Sequence, residues 1–193
     1  MTCMEQLRSK LSENKPVFGV VLRSADPALA ELVGRTGFDY AWIDMEHSTL
    51  TAQQIDALVP ALKYCGCVPL VRVRDNNSMQ IGQMLDLGAD IVNVPHVDTV
   101  EEALRAVQAA RYFPLGRRGY SSSSRSSTHG MEKLDAETMR RKNDETMLML
   151  QIESQKGMDN LSDIVEMNGI DALFLGLGDL SQDLGIPTQL EKP

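Results

Sequence analysis

The chain has 193 residues, with 19 basic against 27 acidic side chains and a formal charge of −8. Hydrophobic residues at 42% and charged ones at 24% exclude wholesale disorder and suit a folded chain with a sizeable core. The acidic balance argues against nucleic acid as the main partner, because phosphate binding needs a net basic face. The length is short for a closed eight-fold βα barrel, which typically needs ~250 residues.

The opening Met1-Thr2-Cys3-Met4-Glu5-Gln6-Leu7 has no apolar h-region, and no apolar run approaches the ~18 to 20 residues of a membrane span. A cytoplasmic location and no membrane partner are therefore expected. Cys3, Cys65 and Cys67 are expected as reduced thiols. A metal or redox pair at Cys65-Gly66-Cys67 is the alternative, but it lacks the usual two-residue spacer and a nearby His.

In chain order, the apolar run Val17 to Leu22 predicts a first strand. Asp26-Pro27 predicts a capped helix to about Gly37. Tyr40 to Ile43 reads as a strand, and Thr51 opens a helix carrying Ile55, Leu58, Val59 and Leu62 at helical spacing. A third strand, Val68 to Val73, precedes a helix from Ser78 to Leu87 that ends at Gly88. Ile91 to Val94 is the fourth strand, and Thr99-Val100-Glu101-Glu102 is a capping box for a helix to Arg111.

Tyr112 to about Asn143 interrupts the alternation. Its Ser-rich part, Arg117 to Gly130, reads equally as a flexible linker or as an anion-binding loop, and Met131 to Asn143 reads as a polar surface helix. Met147 to Ile152 is the fifth strand, a helix follows near Leu161 to Met167, and Ile170 to Leu175 is the sixth strand. This alternation predicts a parallel sheet, either a βα barrel or an open doubly wound sheet. No glycine-rich phosphate fingerprint follows the first strand, which weakens the dinucleotide-binding version.

Sites of parallel βα folds lie at the carboxyl ends of the strands. The residues delivered there are Asp44, Glu46 and His47, then Arg72 and Arg74, Pro95 and His96, Gln151 and Glu153, and Gly176 to Ser181. Each also has a plainer use. Asp179 can cap a short helix through Leu184, Glu153 can be an exposed loop residue, Asp44 can pair with Arg72, and His96 can be a rim histidine. Their shared location suggests chemistry. Glu153 and Asp179 are hard oxygen ligands suited to Mg²⁺ or Mn²⁺, with Zn²⁺ less favoured. His47, oriented by Asp44, suits proton transfer, and Arg72 suits a developing oxyanion. No lysine ends a strand, so a Schiff base has no good candidate.

These residues resemble a known family. Gly37 to His47, Pro69 to Val73, Leu85 to Ala89 and Val94 to Val97 resemble successive motifs of the HpcH/HpaI family, the metal-dependent class II pyruvate aldolases of the hydroxy-oxo-heptanedioate and dehydro-deoxy-glucarate aldolase kind. Arg111 to Gly119, Gln151-Ile152-Glu153 and Gly178 to Ser181 continue the match, which is collinear from about Val17 to Gly185. The resemblance implies a (β/α)8 TIM barrel of the phosphoenolpyruvate/pyruvate type. About six βα units are present, in one incomplete domain over residues 1–193.

It further implies reversible cleavage of a 4-hydroxy-2-oxo acid to pyruvate and an aldehyde through a metal-stabilised pyruvate enolate. Glu153 and Asp179 would bind the divalent metal, Mg²⁺ or Mn²⁺, with Co²⁺ or Zn²⁺ possible. Arg72 would hold the enolate oxygen. His47, supported by Asp44 or Asp86, would move the proton. Gln151 would line the metal site, and amides near Gly178 and Asp179 would receive the carboxylate. The resemblance also implies a homo-oligomer, a hexamer in which Asp86 acts across an interface. Two departures stand out: Leu177 replaces the proline usual before the last ligand, and the chain stops at Glu191-Lys192-Pro193. They keep open a second reading, a truncated relative that binds metal or oligomerises without turnover.

Overall fold

The structure, a computed structural model, describes residues 2–187. Met1 and 188–193 lie outside the described residues, and with them the stop at Glu191-Lys192-Pro193. The six strands are β1 Gly19–Leu22, β2 Tyr40–Asp44, β3 Val68–Arg72, β4 Ile91–Val94, β5 Met147–Ile152 and β6 Ala172–Leu175. Every neighbouring pair is parallel, and their spatial order is their chain order. A doubly wound sheet reverses its strand order at a switch point, and this one does not. The architecture is therefore six βα units forming a half-barrel.

The helices are α1 Cys3–Ser12, α2 Pro27–Arg35, α3 Ala52–Tyr64, α4 Ser78–Asp86, α5 Val100–Ala110, α6 Ala136–Glu145, α7 Gln155–Asp159, α8 Leu161–Val165 and α9 Leu177–Asp183. None is long and apolar enough to cross a membrane among the described residues. β4 and β5 have the expected bounds. Several other ends shift. β1 begins at Gly19 instead of Val17, and α2 stops at Arg35, two residues before Gly37 at φ +90°. α6 starts only at Ala136, because the first side chain to cap the backbone is Asp135, on the Thr138 amide at 3.0 Å. The helix expected near Leu161 to Met167 is α8, which ends at Val165, and the short α7 before it was not foreseen. α1 was not foreseen, although Thr2 and Glu5 form a capping box at its start.

The two faces of the sheet carry separate cores. Outward residues such as Ile43, Val71, Val92 and Leu150 pack with Leu58, Leu62, Ile81 and Val107 of the helices. Inside, strand register aligns Trp42, Leu70, Ile91 and Met147 in one layer, and Met4 and Leu7 of α1 join it. Phe174 of β6 meets Trp42 edge-on, with ring centroids 4.9 Å apart. Residues two apart on a strand share a face. Above the apolar layer, towards the carboxyl ends, therefore stand Asp44, Arg72 and Asn93.

The Ser-rich segment is packed, not a free linker. Arg118 donates to Asp86 at 2.6 Å and lies over the Tyr112 ring, and Arg125 donates to Asp56 at 2.7 Å. Pro60 has no amide to give the Asp56 carbonyl, and Arg125 approaches that carbonyl at 3.4 Å. A cleft of about 680 Å³ lies beneath, lined by Met79, Asp86, Arg117, Arg118 and His129 among others.

Arg111 closes the far side. Its buried guanidinium donates to the carbonyls of Gly169, Asn143 and Thr146 and pairs with Asp171. It thus ties the end of α5 to α6 and to the lead into β6. Replacing it with Met takes the donor from the Gly169 and Asn143 carbonyls and leaves Asp171 with the Leu148 amide and a distant Arg8, so Arg111→Met is expected to lower stability by about 3 kcal/mol. Urea denaturation, followed by the midpoint of unfolding, checks this.

Candidate active site

Asp44 is the last residue of β2 and is fully buried. One oxygen, Oδ1, accepts from Arg72 Nε at 3.0 Å and from the backbone amides of Glu46 and His47 at 3.1 and 3.2 Å. The other, Oδ2, receives Arg72 Nη2 at 2.9 Å and Arg23 Nε at 3.0 Å. Burial works against the Asp44 charge, but the bonds and charge of Arg72, the His47 amide and Arg23 outweigh it. The carboxyl is held below the usual carboxylate range. Asp44 therefore shapes the turn after β2 and clamps Arg72 through two parallel contacts.

The turn brings Glu46 inward. Its Oε2 lies 2.9 Å from Arg72 Nη1, and its Oε1 lies 2.9 Å from His96 Nε2. His96 stands after β4 in a left-handed backbone conformation, φ +53°. Its Nδ1 is 2.9 Å from Glu153 Oε1, which also accepts the His96 amide at 2.8 Å. Glu153 Oε2 takes the Gln151 side-chain amide at 2.5 Å. Gly176 packs on this carboxylate so closely that a Cβ there would lie 2.5 Å from Oε2.

Glu46, His96 and Glu153 offer ligand atoms that all lie within 4.8 Å of one another. Burial pushes the Glu153 carboxyl above its ordinary range; Gln151 and His96 offset part of this, and Glu46 adds to it. Gln151 is 2% exposed, yet its Oε1 has no hydrogen-bond partner among the described residues. A buried acceptor without a donor, beside a cluster of carboxylates, is what a cation site requires.

The other expected residues are not members of this cluster. His47 is exposed at the mouth, its Nε2 3.7 Å from Glu46 Oε2, and Asp44 reaches its amide instead of its ring. Glu153 is buried and not a loop residue in solvent. Asp179 and Gly178 are exposed in the first turn of α9, where Gly176 holds the capping position that Asp179 could have taken. Asp86, at the end of α4, is paired with Arg118 and lines the cleft under the Ser-rich segment. The cysteines are all free. Burial foremost pushes the Cys3 thiol up to about 11 and the Cys67 thiol up to about 12, which makes both poor nucleophiles.

The comparisons with known proteins bear on this arrangement. A model of the HpcH/HpaI aldolase/citrate lyase family matches residues 18–193. The chain belongs to this family. A 2-dehydro-3,6-dideoxy-6-sulfogluconate aldolase of Pseudomonas putida is 37% identical over 175 residues, covering 91% of this chain and 68% of the relative. A hydroxypyruvate/pyruvate aldolase of Roseobacter denitrificans is 37% identical over 191 residues, covering 98% and 73%. The solved HpcH/HpaI aldolase from Desulfitobacterium hafniense superposes with a TM-score of 0.88 at 35% identity, covering 97% of this chain and 72% of that one. The protein is thus an aldolase-type enzyme, a carbon–carbon lyase.

For this HpcH/HpaI chain, sequence reading placed Glu46 and His96 at the rim but gave neither a partner. Nor did it single out Arg23. Their contacts cross two or three strands and leave no mark in local spacing. Asp44 contributes stability that is fully present above the unfolded carboxylate range and lost as pH falls through its lowered native value. Wild type is therefore expected to lose stability below about pH 4 more steeply than Asp44→Asn, which is less stable at neutral pH. Urea midpoints measured across that range test the difference.

Proposed function

We propose that the protein is a divalent-metal-dependent aldolase that reversibly cleaves a 4-hydroxy-2-oxo acid to pyruvate and an aldehyde. The observation that carries this reading is the convergence of a clamped arginine and a carboxylate–histidine cluster at one rim of an aldolase-family barrel. The unpartnered Gln151 oxygen and the buried carboxylate of Glu153 fit a hard cation. Glu153 and Asp179 would hold it, with Gln151 beside them, and Mg²⁺ or Mn²⁺ suits the oxygen donors best. When bound, the metal polarises the 2-oxo carbonyl and stabilises negative charge on its oxygen.

The chain's own residues supply the rest. Arg72 donates from Nε to Asp44 and lies at ion-pair distance from Asp44 through Nη2 and from Glu46 through Nη1, which leaves N–H groups for a substrate oxygen. Arg72 thereby binds the carbonyl oxygen as it gains charge, in a direction that Asp44 keeps constant. His47, open to the mouth, accepts the proton of the substrate's C4 hydroxyl. The C3–C4 bond then breaks, its electron pair moves toward the C2 oxygen, and the aldehyde leaves. Returning a proton to C3 gives pyruvate. Amides near Gly178 and Asp179 receive the substrate carboxylate. Asp86 serves this chemistry from across a subunit interface in a homo-oligomer, and the single-domain enzyme works in the cytoplasm.

Pyruvate release from 4-hydroxy-2-oxo acids, coupled to lactate dehydrogenase, is expected with Mg²⁺ or Mn²⁺ and is abolished by chelator. Arg72→Met should lower kcat/KM by about 10²- to 10³-fold. Glu153→Gln should weaken metal binding by about tenfold or more. Metal binding without turnover across a panel of aldehyde acceptors would instead establish the non-turnover relative.

A further inference from the structure

The ring of His96 meets two carboxylates at once, Glu46 through one nitrogen and Glu153 through the other. His96 Nε2 lies 2.9 Å from Glu46 Oε1. The other ring nitrogen, Nδ1, lies 2.9 Å from a second carboxylate oxygen, Glu153 Oε1. Glu153 Oε1 already receives the His96 amide, and Oε2 receives Gln151. Nδ1 and Oε1 therefore form a pair of donor atoms close enough for one cation to share, in a cluster whose ligand atoms all lie within 4.8 Å of one another.

Three features favour the cation. Adjacent donors on an octahedral ion with bonds near 2.1 Å stand about 3 Å apart, which is the separation of Nδ1 and Oε1. His96 holds a left-handed backbone, a costly conformation for a side chain with a Cβ, while its ring lies against Glu153. The buried Gln151 oxygen beside Glu153 has no donor among the described residues. We infer that His96 is a third protein ligand of the metal, binding through Nδ1, with Glu46 fixing the ring through Nε2. Glu46, His96 and the ion then form a carboxylate–histidine–metal relay. Because imidazole is softer than carboxylate, the nitrogen moves preference from Mg²⁺ towards Mn²⁺, Co²⁺ and later first-row ions.

This inference rests on the metal-dependent reading above, and the test separates the two. The protein is loaded with Mn²⁺ and studied by pulsed electron paramagnetic resonance. A directly coordinated ¹⁴N coupling is expected, and ¹⁵N-histidine labelling should change it to the ¹⁵N pattern. The coupling should vanish in His96→Asn, which tolerates the left-handed backbone, and in His96→Gly, which relaxes it. It should persist in His47→Asn. Calorimetric titration should show the ratio of Co²⁺ to Mg²⁺ affinity falling about tenfold in His96→Asn. Mn²⁺ bound stoichiometrically with no nitrogen coupling, or with a coupling that survives both His96 variants, overturns the ligand role and leaves the aldolase reading intact. Failure of the wild-type protein to bind Mn²⁺ or Co²⁺ overturns both.

Discussion

The site depends on one buried carboxylate. Asp44 sits at the end of β2 above an apolar layer, where an unpaired charge would be prohibitive. Its two oxygens are saturated by Arg72, Arg23 and the amides of the following turn. This single group does two jobs at once. It compensates the arginine that β3 carries to the same height, and it folds residues 45 to 48 so that Glu46 turns inward. Glu46 then meets both Arg72 and His96, and His96 meets Glu153. The contacts form a chain across four successive strands, and each link presupposes the one before it.

That chain is possible because of the layered interior. Trp42, Leu70, Ile91 and Met147 fill the lower barrel, with α1 supplying Met4 and Leu7. Two residues further along the same strands come the polar groups. The apolar layer keeps water away from below, which strengthens the ion pairs above it and raises the cost of any charge left alone. Glu153 shows the consequence. Its carboxyl is pushed above the usual range by burial, with Glu46 adding to the shift. The closeness of Gly176 has the same origin, since a side chain there would occupy the space of the Glu153 carboxylate.

Much of this was legible from residue order. The apolar runs marked all six strands, and β4 and β5 had their observed bounds, because continuous runs bounded by turn residues are a local signal. The Thr99 capping box and the helix stop at Gly88 were readable for the same reason. α1 was overlooked although its capping box is equally local, since its mean pattern is weakly apolar and no strand precedes it. The start of α6 was read five residues early because its polar stretch lacks periodicity. α8 was read with its observed start but two residues too long, and the five-residue α7 before it was overlooked because so short a helix shows no apolar periodicity.

Local rules of this kind define elements, their alternation and which residues reach the carboxyl rim, and the ordered motifs were sufficient to name the family. Without the family resemblance, which implied the barrel, local rules could not choose between a barrel and a doubly wound sheet, because strand order is a property of pairing between distant segments. Nor could they distinguish Glu46 and His96 from other rim residues. Which carboxylate meets which ring depends on register, on the turn that Asp44 folds and on the left-handed backbone at His96. These are long-range outcomes of packing, and no spacing along the chain encodes them.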